Sequence, residues 1–335
     1  MTRLWTDGAE MGDVLFWSWT NGEQAITSSP ASGVYCYEAY ADEGSYKALS
    51  PALAEFYLKF RIKWNSAHYW PTNAHYPDLR YDGTNIAWLT FEETTNYWCA
   101  YINGVKVGTY TELNDNQWYL MEVYYKLHDT SGSFIVKIDG IQAIAYGGDT
   151  NPGAYTGINR IYWGSSSSWC APHQYRYLDD LALNDTSGSI DNSWCGAGRV
   201  ERLVPNNDGD VLQWTPSSGS HFQCVDEVPP NDNTDYISAD QANLKDAIHL
   251  AAFTDTNKTI ERVWGEGRAA DYASMGSRMR AGLLTSGSYF MGADVQLPYT
   301  YTRVMTEVFP KSPITGNAWS KAELDALQVV AESRE

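Results

Sequence analysis

Residues 174–185 read QYRYLDDLALND, with two adjacent carboxylates, Asp179 and Asp180, set inside an apolar run. Such a doublet can ligate a metal, act on a substrate or fasten a sheet edge. The run alternates as a β-strand does, and neighbouring strand residues point to opposite faces. Without a bulge, the two acids cannot share one substrate. A glycosidase needs two carboxyl groups on the same side of a sugar, about 5 to 10 Å apart. Adjacent strand positions fail that requirement, so a structural role for Asp179 and Asp180 is the expectation.

The same period-two alternation runs outward from this strand. In EFYLKFRIKW (55–64), Phe56, Leu58, Phe60, Ile62 and Trp64 share one face, while Tyr57, Lys59, Arg61 and Lys63 share the other. That is a half-buried strand with one wet face. Further strands are predicted in NIAWLTFEE, YWCAYINGVKVGTY, NQWYLMEVYYKL, GSFIVKIDGIQAIAY and NRIYWGS. Asn103-Gly104 and Asp139-Gly140 are dipeptides of tight type I′ hairpins. The fold class is all-β, with an antiparallel two-sheet sandwich over residues 1–188. The Gly-, Ser- and Asn-rich stretch 189–198 reads as a linker. Residues 199–335 resume the strand pattern and predict a second β-sandwich domain. Its tail, WSKAELDALQVVAESRE, opens on a capping box of Ser320 and Glu323. Leu324, Leu327 and Val330 follow at helical spacing, predicting a C-terminal helix over 321–334.

The 335 residues give each half enough chain for its own core. A formal charge of −18, from 41 acidic and 23 basic residues, argues against nucleic acid and against an anionic membrane as partners. No apolar run reaches the length of a membrane span. The opening MTRLWTDGAEMGDVLFW lacks a signal peptide's apolar core, so synthesis in the cytoplasm without general secretion is expected. Cys36, Cys99, Cys170, Cys195 and Cys224 show no ligand spacing, and buried reduced thiols are expected.

Candidate site residues come from four stretches. NNDGD (206–210) and NDNTD (231–235) offer Asp208, Asp210, Asp232 and Asp235 as calcium ligands. Asn and Asp are also favoured in turns, which is the reading preferred here. Calcium is thus the one candidate cofactor. WNSAHYWPTNAHYPDLRYDG (64–83) and GSSSSWCAPHQY (164–175) read as long loops presenting Trp70, Tyr76, Tyr81, Trp169 and His173. Flat rings on loops stack on sugar faces, and they also pack at subunit interfaces. No GxSxG, HExxH or P-loop occurs.

GAEMGD (8–13), AEFYLKFRIKW (54–64), KIDGIQAIAY (137–146) and YLDDLALND (177–185) together resemble a concanavalin A-like jelly roll of the laminin G and pentraxin kind. The resemblance implies that one Asp of the doublet turns inward to accept backbone N–H groups from a neighbouring loop. Jelly-roll endoglucanases carry an E-x-D-x-x-E or E-x-D-x-E box, which is missing here, so the chain is expected not to be an enzyme. The second half, from GRVERLVPNNDGDVLQW to the closing phrase at Pro313–Leu324, resembles a module of tailed-bacteriophage virion proteins. It implies a non-enzymatic structural protein on the virion exterior: a head decoration on the capsid, a head fibre or a tail-attached adhesin. Other virion proteins, a second copy of the chain and a surface glycan are the implied partners. The alternative is a carbohydrate-binding module or glycoside-active enzyme.

Overall fold

A computed structural model describes residues 3–40, 43–65, 74–92, 97–111, 113–165, 175–255, 257–272 and 276–335. The chain divides into two compact units, Met1–Glu201 and Arg202–Glu335. In the first, the described strands are β1 (Arg3–Asp7), β2 (Trp19–Asn21), β3 (Gln24–Ile26), β4 (Cys36–Tyr40), β5 (Gly44–Leu53), β6 (Glu55–Trp64), β7 (Ala74–Tyr81), β8 (Thr84–Glu92), β9 (Tyr97–Ile102), β10 (Val105–Tyr110), β11 (Tyr119–Lys126), β12 (Gly132–Ile138), β13 (Ile141–Gly148), β14 (Ile158–Ser165) and β15 (Tyr175–Asp185). They make two antiparallel sheets. One is ordered β13-β12-β11-β6-β15-β4-β3 with β1 beside β15, the other β10-β9-β8-β7-β14-β5-β2.

The core between the sheets follows from the alternation. Phe56, Leu58, Phe60, Ile62 and Trp64 on β6 are all buried, as are Leu79, Leu89, Ile161 and Trp163 on the opposing sheet. Phe60 meets Trp163 edge-on at 6.1 Å, and Trp64 tilts against Trp98 at 5.3 Å. Each such ring contributes about 1.5–3 kcal/mol through burial. At the hairpin tips Asn103-Gly104 and Asp139-Gly140 have positive φ at both positions, as a type I′ turn demands. Asp82-Gly83 does the same between β7 and β8, so residues 74–83 of the segment expected to be a loop form a strand and a hairpin turn.

The other face of β6 is not uniformly wet. Lys59 is 4% exposed because the stretch 194–200 lies across it. Lys59 Nζ donates to the Gly198 carbonyl, Gly196 N–H donates to Glu122 Oε1 at 3.1 Å, and Trp194 packs edge-on against Tyr57. The stretch expected to be a linker therefore belongs to the first unit.

The second unit is β-rich as well. Its main antiparallel sheet orders Pro205–Leu212, Lys245–Leu250, Gln328–Arg334, Arg278–Thr285 and Ser288–Met291, with Val295–Gln296 beside Arg278–Thr285. The ribbon of Glu266–Ala269 and Thr302–Met305 supplies Val304, which is buried with Met279 and Ala281 of that sheet. The C-terminal helix is shorter than expected. Ser320 and Glu323 do form the capping box, but the helix covers only Lys321–Asp325. Residues 328–334 are instead a central strand, with Gln328, Val330 and Glu332 buried in alternation. The spacing of Leu324, Leu327 and Val330 mimics a helix, yet pairing on both sides of a Val-Val segment overrides it. Among the described residues no helix is long and apolar enough to cross a membrane.

Candidate active site

The face of the β10–β2 sheet away from the core carries a belt that no short stretch of sequence displays, exposed at Trp19 and Lys106 and buried at His75, Asp78 and Tyr162. Cross-strand pairing places Trp19 opposite Tyr46, Tyr46 opposite Tyr162 and Tyr162 opposite Asp78. The row continues through Trp88 and Tyr101 to Lys106. Six inter-strand steps of about 4.8 Å give it a length of about 29 Å. At one end Trp19 stacks on Tyr46 at 5.8 Å and on Tyr162 at 6.4 Å. Beyond the centre Trp88 stacks on His75 at 4.9 Å and on Tyr101 at 5.4 Å. Lys106 closes the far end in an ion pair with Glu92 at 2.6 Å.

The titratable groups gather at the middle of the belt. His75 Nδ1 lies 2.9 Å from Asp78 Oδ2, and Arg80 Nε donates to the same oxygen at 2.9 Å. That carboxylate fixes both the ring and the guanidinium. It also sets Nδ1 of the neutral imidazole as the protonated nitrogen, leaving Nε2 as the acceptor. Arg80 stacks over the Tyr162 ring at 4.2 Å, and its cross-strand partner is Arg160. Like charges placed opposite one another are destabilising. Asp78 offsets Arg80, whereas Arg160 rests on the Tyr46 ring at 5.2 Å with no carboxylate in ion-pair reach among the described residues. The site thus holds one cation without an internal counter-charge.

Glycine makes room for Tyr162. A Cβ on Gly44 would stand 2.1 Å from the Tyr162 hydroxyl, and one on Gly164 would stand 3.1 Å away. Gly44 and Gly164 are cross-strand partners, and Gly164 also pairs with His75. The hydroxyl therefore leans over a glycine floor toward the histidine row. Burial pushes the Tyr162 phenol above its usual range, against the opposing pull of Arg176 and Arg80. It holds its proton at neutral pH and is a proton donor.

The residues singled out from sequence lie elsewhere. Asp179 and Asp180 sit at a bulge in β15, where the register slips between Asp179 and Ala182 and Asp180 has φ of 49°. The bulge turns both acids inward. Asp179 Oδ2 accepts from the N–H groups of Ala31 and Ser32, while Asp180 accepts from Ser32 Oγ, Val200 N–H and Arg61. Both are fully buried, and desolvation together with the neighbouring charge raises the Asp179 pKa. Tyr76 is not on a loop: it lies in β7, is 3% exposed and receives a hydrogen bond from Arg176. Tyr81 ends β7 and tilts against Tyr155. Trp70, Trp169 and His173 lie outside the described residues.

Asp208 and Asp210 fall in a strand, not the expected turn. Asp208 accepts from Phe222 N–H and Asp210 from Gln328 Nε2. Asp232 pairs with Arg268, and Asp235 accepts from Ser218 and Asn231. Among the described residues no group of three or more His, Cys, Asp or Glu side chains is placed to hold a metal ion. Cys36, Cys99, Cys195 and Cys224 are buried and unbridged.

The belt was missed because alternation tells which face a residue takes but not which strands are neighbours. Arg160 and Tyr162 do alternate with buried Ile161 and Trp163. Pro77 hid the strand at β7, since proline removes a ladder donor. The structure accommodates it at a bulge, where the register shifts between His75 and Asp78.

No family model matches the chain, and no curated protein matches it. Among solved structures it is similar to an endo-beta-1,4-glucuronan lyase from the fungus Trichoderma reesei (TM-score 0.44, 11% identity, covering 58% of this chain and 100% of that one). It is also similar to the alginate lyase Aly36B (TM-score 0.36, 14% identity, 45% and 80% covered). A third is a conserved carbohydrate esterase from Shiga toxin-encoding bacteriophage phi24B (TM-score 0.39, 14% identity, 55% and 99% covered). These are β-sandwich carbohydrate-active proteins, and at such identity the likeness is one of fold. The expectation that the chain is not an enzyme does not stand beside them. That expectation rested on the missing carboxylate box, which speaks only to two-carboxylate hydrolysis, whereas these proteins are named as lyases and an esterase.

Proposed function

We propose that the first unit is a carbohydrate-active enzyme that lays an anionic, uronate-containing polysaccharide along the belt and cleaves it by β-elimination. The observation that carries this reading is Arg160, a guanidinium without an internal carboxylate, set beside a protonated Tyr162 and a carboxylate-oriented His75 on an aromatic-lined face. A planar guanidinium fits a carboxylate in bidentate fashion. Neutralising a uronate carboxylate acidifies the adjacent ring C–H. His75 Nε2 then takes that proton, and the electron pair forms a C=C bond as the bond to the glycosidic oxygen breaks. The Tyr162 hydroxyl gives its proton to the departing oxygen. Asp78 and Glu92 are both engaged in ion pairs, so neither is placed as a free nucleophile.

The test is incubation of the full chain with panels of acidic and neutral polysaccharides, with products weighed by mass spectrometry. Elimination leaves one product a water lighter than hydrolysis would, with new ultraviolet absorbance from its conjugated double bond. Hydrolytic products, turnover confined to neutral polymers, or no turnover would each refute the reading.

For location, we infer a particle-borne enzyme on a tailed-phage exterior, assembled with other virion proteins. The support is the closing phrase at Pro313–Leu324, whose Trp319 and Leu324 are buried in the second unit's core. Mass spectrometry of separated heads and tails should find it in one fraction, and absence from both would refute the location.

A further inference from the structure

Behind the glycine floor, on the core side of the site, lies a buried guanidinium that the reaction above does not use. Arg176 reaches across from β15 in the opposite sheet and is 3% exposed. Its Nη1 donates to the Glu43 carbonyl at 3.0 Å and to the Tyr76 hydroxyl at 3.1 Å, and its Nη2 donates to the Trp163 carbonyl at 3.4 Å. Glu43 and Trp163 immediately precede Gly44 and Gly164, the two residues over which the Tyr162 hydroxyl leans. One guanidinium therefore holds both strands of the floor at the point where they pair.

Glu23, just ahead of β3 and 5% exposed, feels the charge of Arg176 without forming an ion pair with it. The Ser45 hydroxyl stands beside that carboxylate but outside hydrogen-bond geometry, so the carboxylate is buried with little direct solvation. We propose that Arg176 is a positioning residue of the site, clamping the two carbonyls that set the glycine floor beneath Tyr162. The proposal rests on the reading of Tyr162 as proton donor. A lysine offers a point charge and cannot span three oxygens in a fixed plane. Displacing a reacting group by about 1 Å costs on the order of a hundredfold in rate.

Glu23 also makes the clamp sensitive to pH. Burial pushes Glu23 up to about 7, with Arg176 from β15 opposing the rise and Glu43, ahead of β5, adding to it. Tyr162 from β14 senses both Arg176 and Glu23. Through the neutral range Glu23 changes charge, and the field at Arg176 and Tyr162 changes with it.

The experiment uses full-length wild type, Glu23→Gln and Arg176→Lys. Tyrosine ring-carbon NMR follows the Tyr162 resonance, assigned by its loss in Tyr162→Phe, and needs no turnover. Steady-state kinetics on the acidic polymer give kcat and KM against pH. In wild type both the resonance and kcat should step near pH 7. Glu23→Gln should abolish that step, and Arg176→Lys should move the resonance and lower kcat at least about tenfold, with KM held within about twofold in each. A Tyr162 resonance with unchanged position and titration in both variants overturns the clamp. Should Arg176→Lys fail to fold, Tyr76→Phe, which removes one of the guanidinium's three acceptors, decides in its place. A resonance that moves as expected in a protein that cleaves no polymer leaves the clamp standing and removes the elimination reading.

Discussion

At Tyr162 one hydroxyl must be buried enough to keep its proton and close enough to the surface to give it away. The residues around it share that tension. Gly44 gives up a side chain to make space, and Glu23 is kept in a place where its charge is unwelcome. The second compromise has a thermodynamic signature. The folded chain holds Glu23 at about 7 against an ordinary 4.5, so folding favours the neutral acid. The stabilisation is fully present below pH 4.5 and is lost as pH rises through 7, an effect of roughly 3 kcal/mol. Glu23→Gln is neutral at every pH. Its Tm should match wild type near pH 4 and exceed it increasingly up to pH 8, in thermal melts across that range. A difference that does not change with pH would contradict this. The variant that stabilises is also the one expected to lose the neutral-pH step in kcat, a trade of function against stability.

At the scale of elements, β15 shows what a bulge does. Turning both Asp179 and Asp180 inward lets one strand fasten the 31–32 loop through backbone N–H groups and the 194–200 stretch through Val200. Asp180→Ala would leave Arg61 and two buried donors unmatched, so a loss of about 3 kcal/mol in urea unfolding is expected. Limited proteolysis should then cut within 190–200, where wild type resists. Wild-type stability with the same protease map would contradict a fastening role. The strands of the first sheet were legible in the sequence because Phe56 to Trp64 alternate without exception, and two hairpins were legible from Asn103-Gly104 and Asp139-Gly140. The C-terminal strand was not. Leu324, Leu327 and Val330 satisfy helical spacing locally, and only pairing with Lys245–Leu250 and Arg278–Thr285 settles the matter. Hydrogen exchange distinguishes the two. Amides of 329–331 should be among the slowest in the second unit, and those of 321–325 fast. The reverse order would restore the helix.

Over the whole molecule, the candidate site was the least legible feature, because its residues come from seven strands scattered between Trp19 and Tyr162. Each strand reveals its polar face, but sheet order is a long-range property that a single sequence does not display. Charge behaves similarly. A net −18 describes the chain, while the belt centre carries Arg80 and Arg160 against one Asp78. On the proposed reading an anionic polymer is repelled at a distance and held on contact. Salt weakens both, and the screening length falls to about 8 Å at 0.15 M. KM for an acidic polymer should fall from low salt to about 0.15 M and rise again toward 1 M. A monotonic rise from the lowest salt would mean that net charge plays no part in encounter.

The measurement that bears most directly on the belt as an elimination site is turnover of an acidic polysaccharide by full-length Tyr162→Phe and Arg160→Ala, with circular dichroism confirming the fold. Tyr162→Phe should lower kcat by about 10² to 10⁴. Arg160→Ala should cost about 10- to 100-fold in kcat/KM. Wild-type turnover by either folded variant would place the chemistry somewhere other than this sheet.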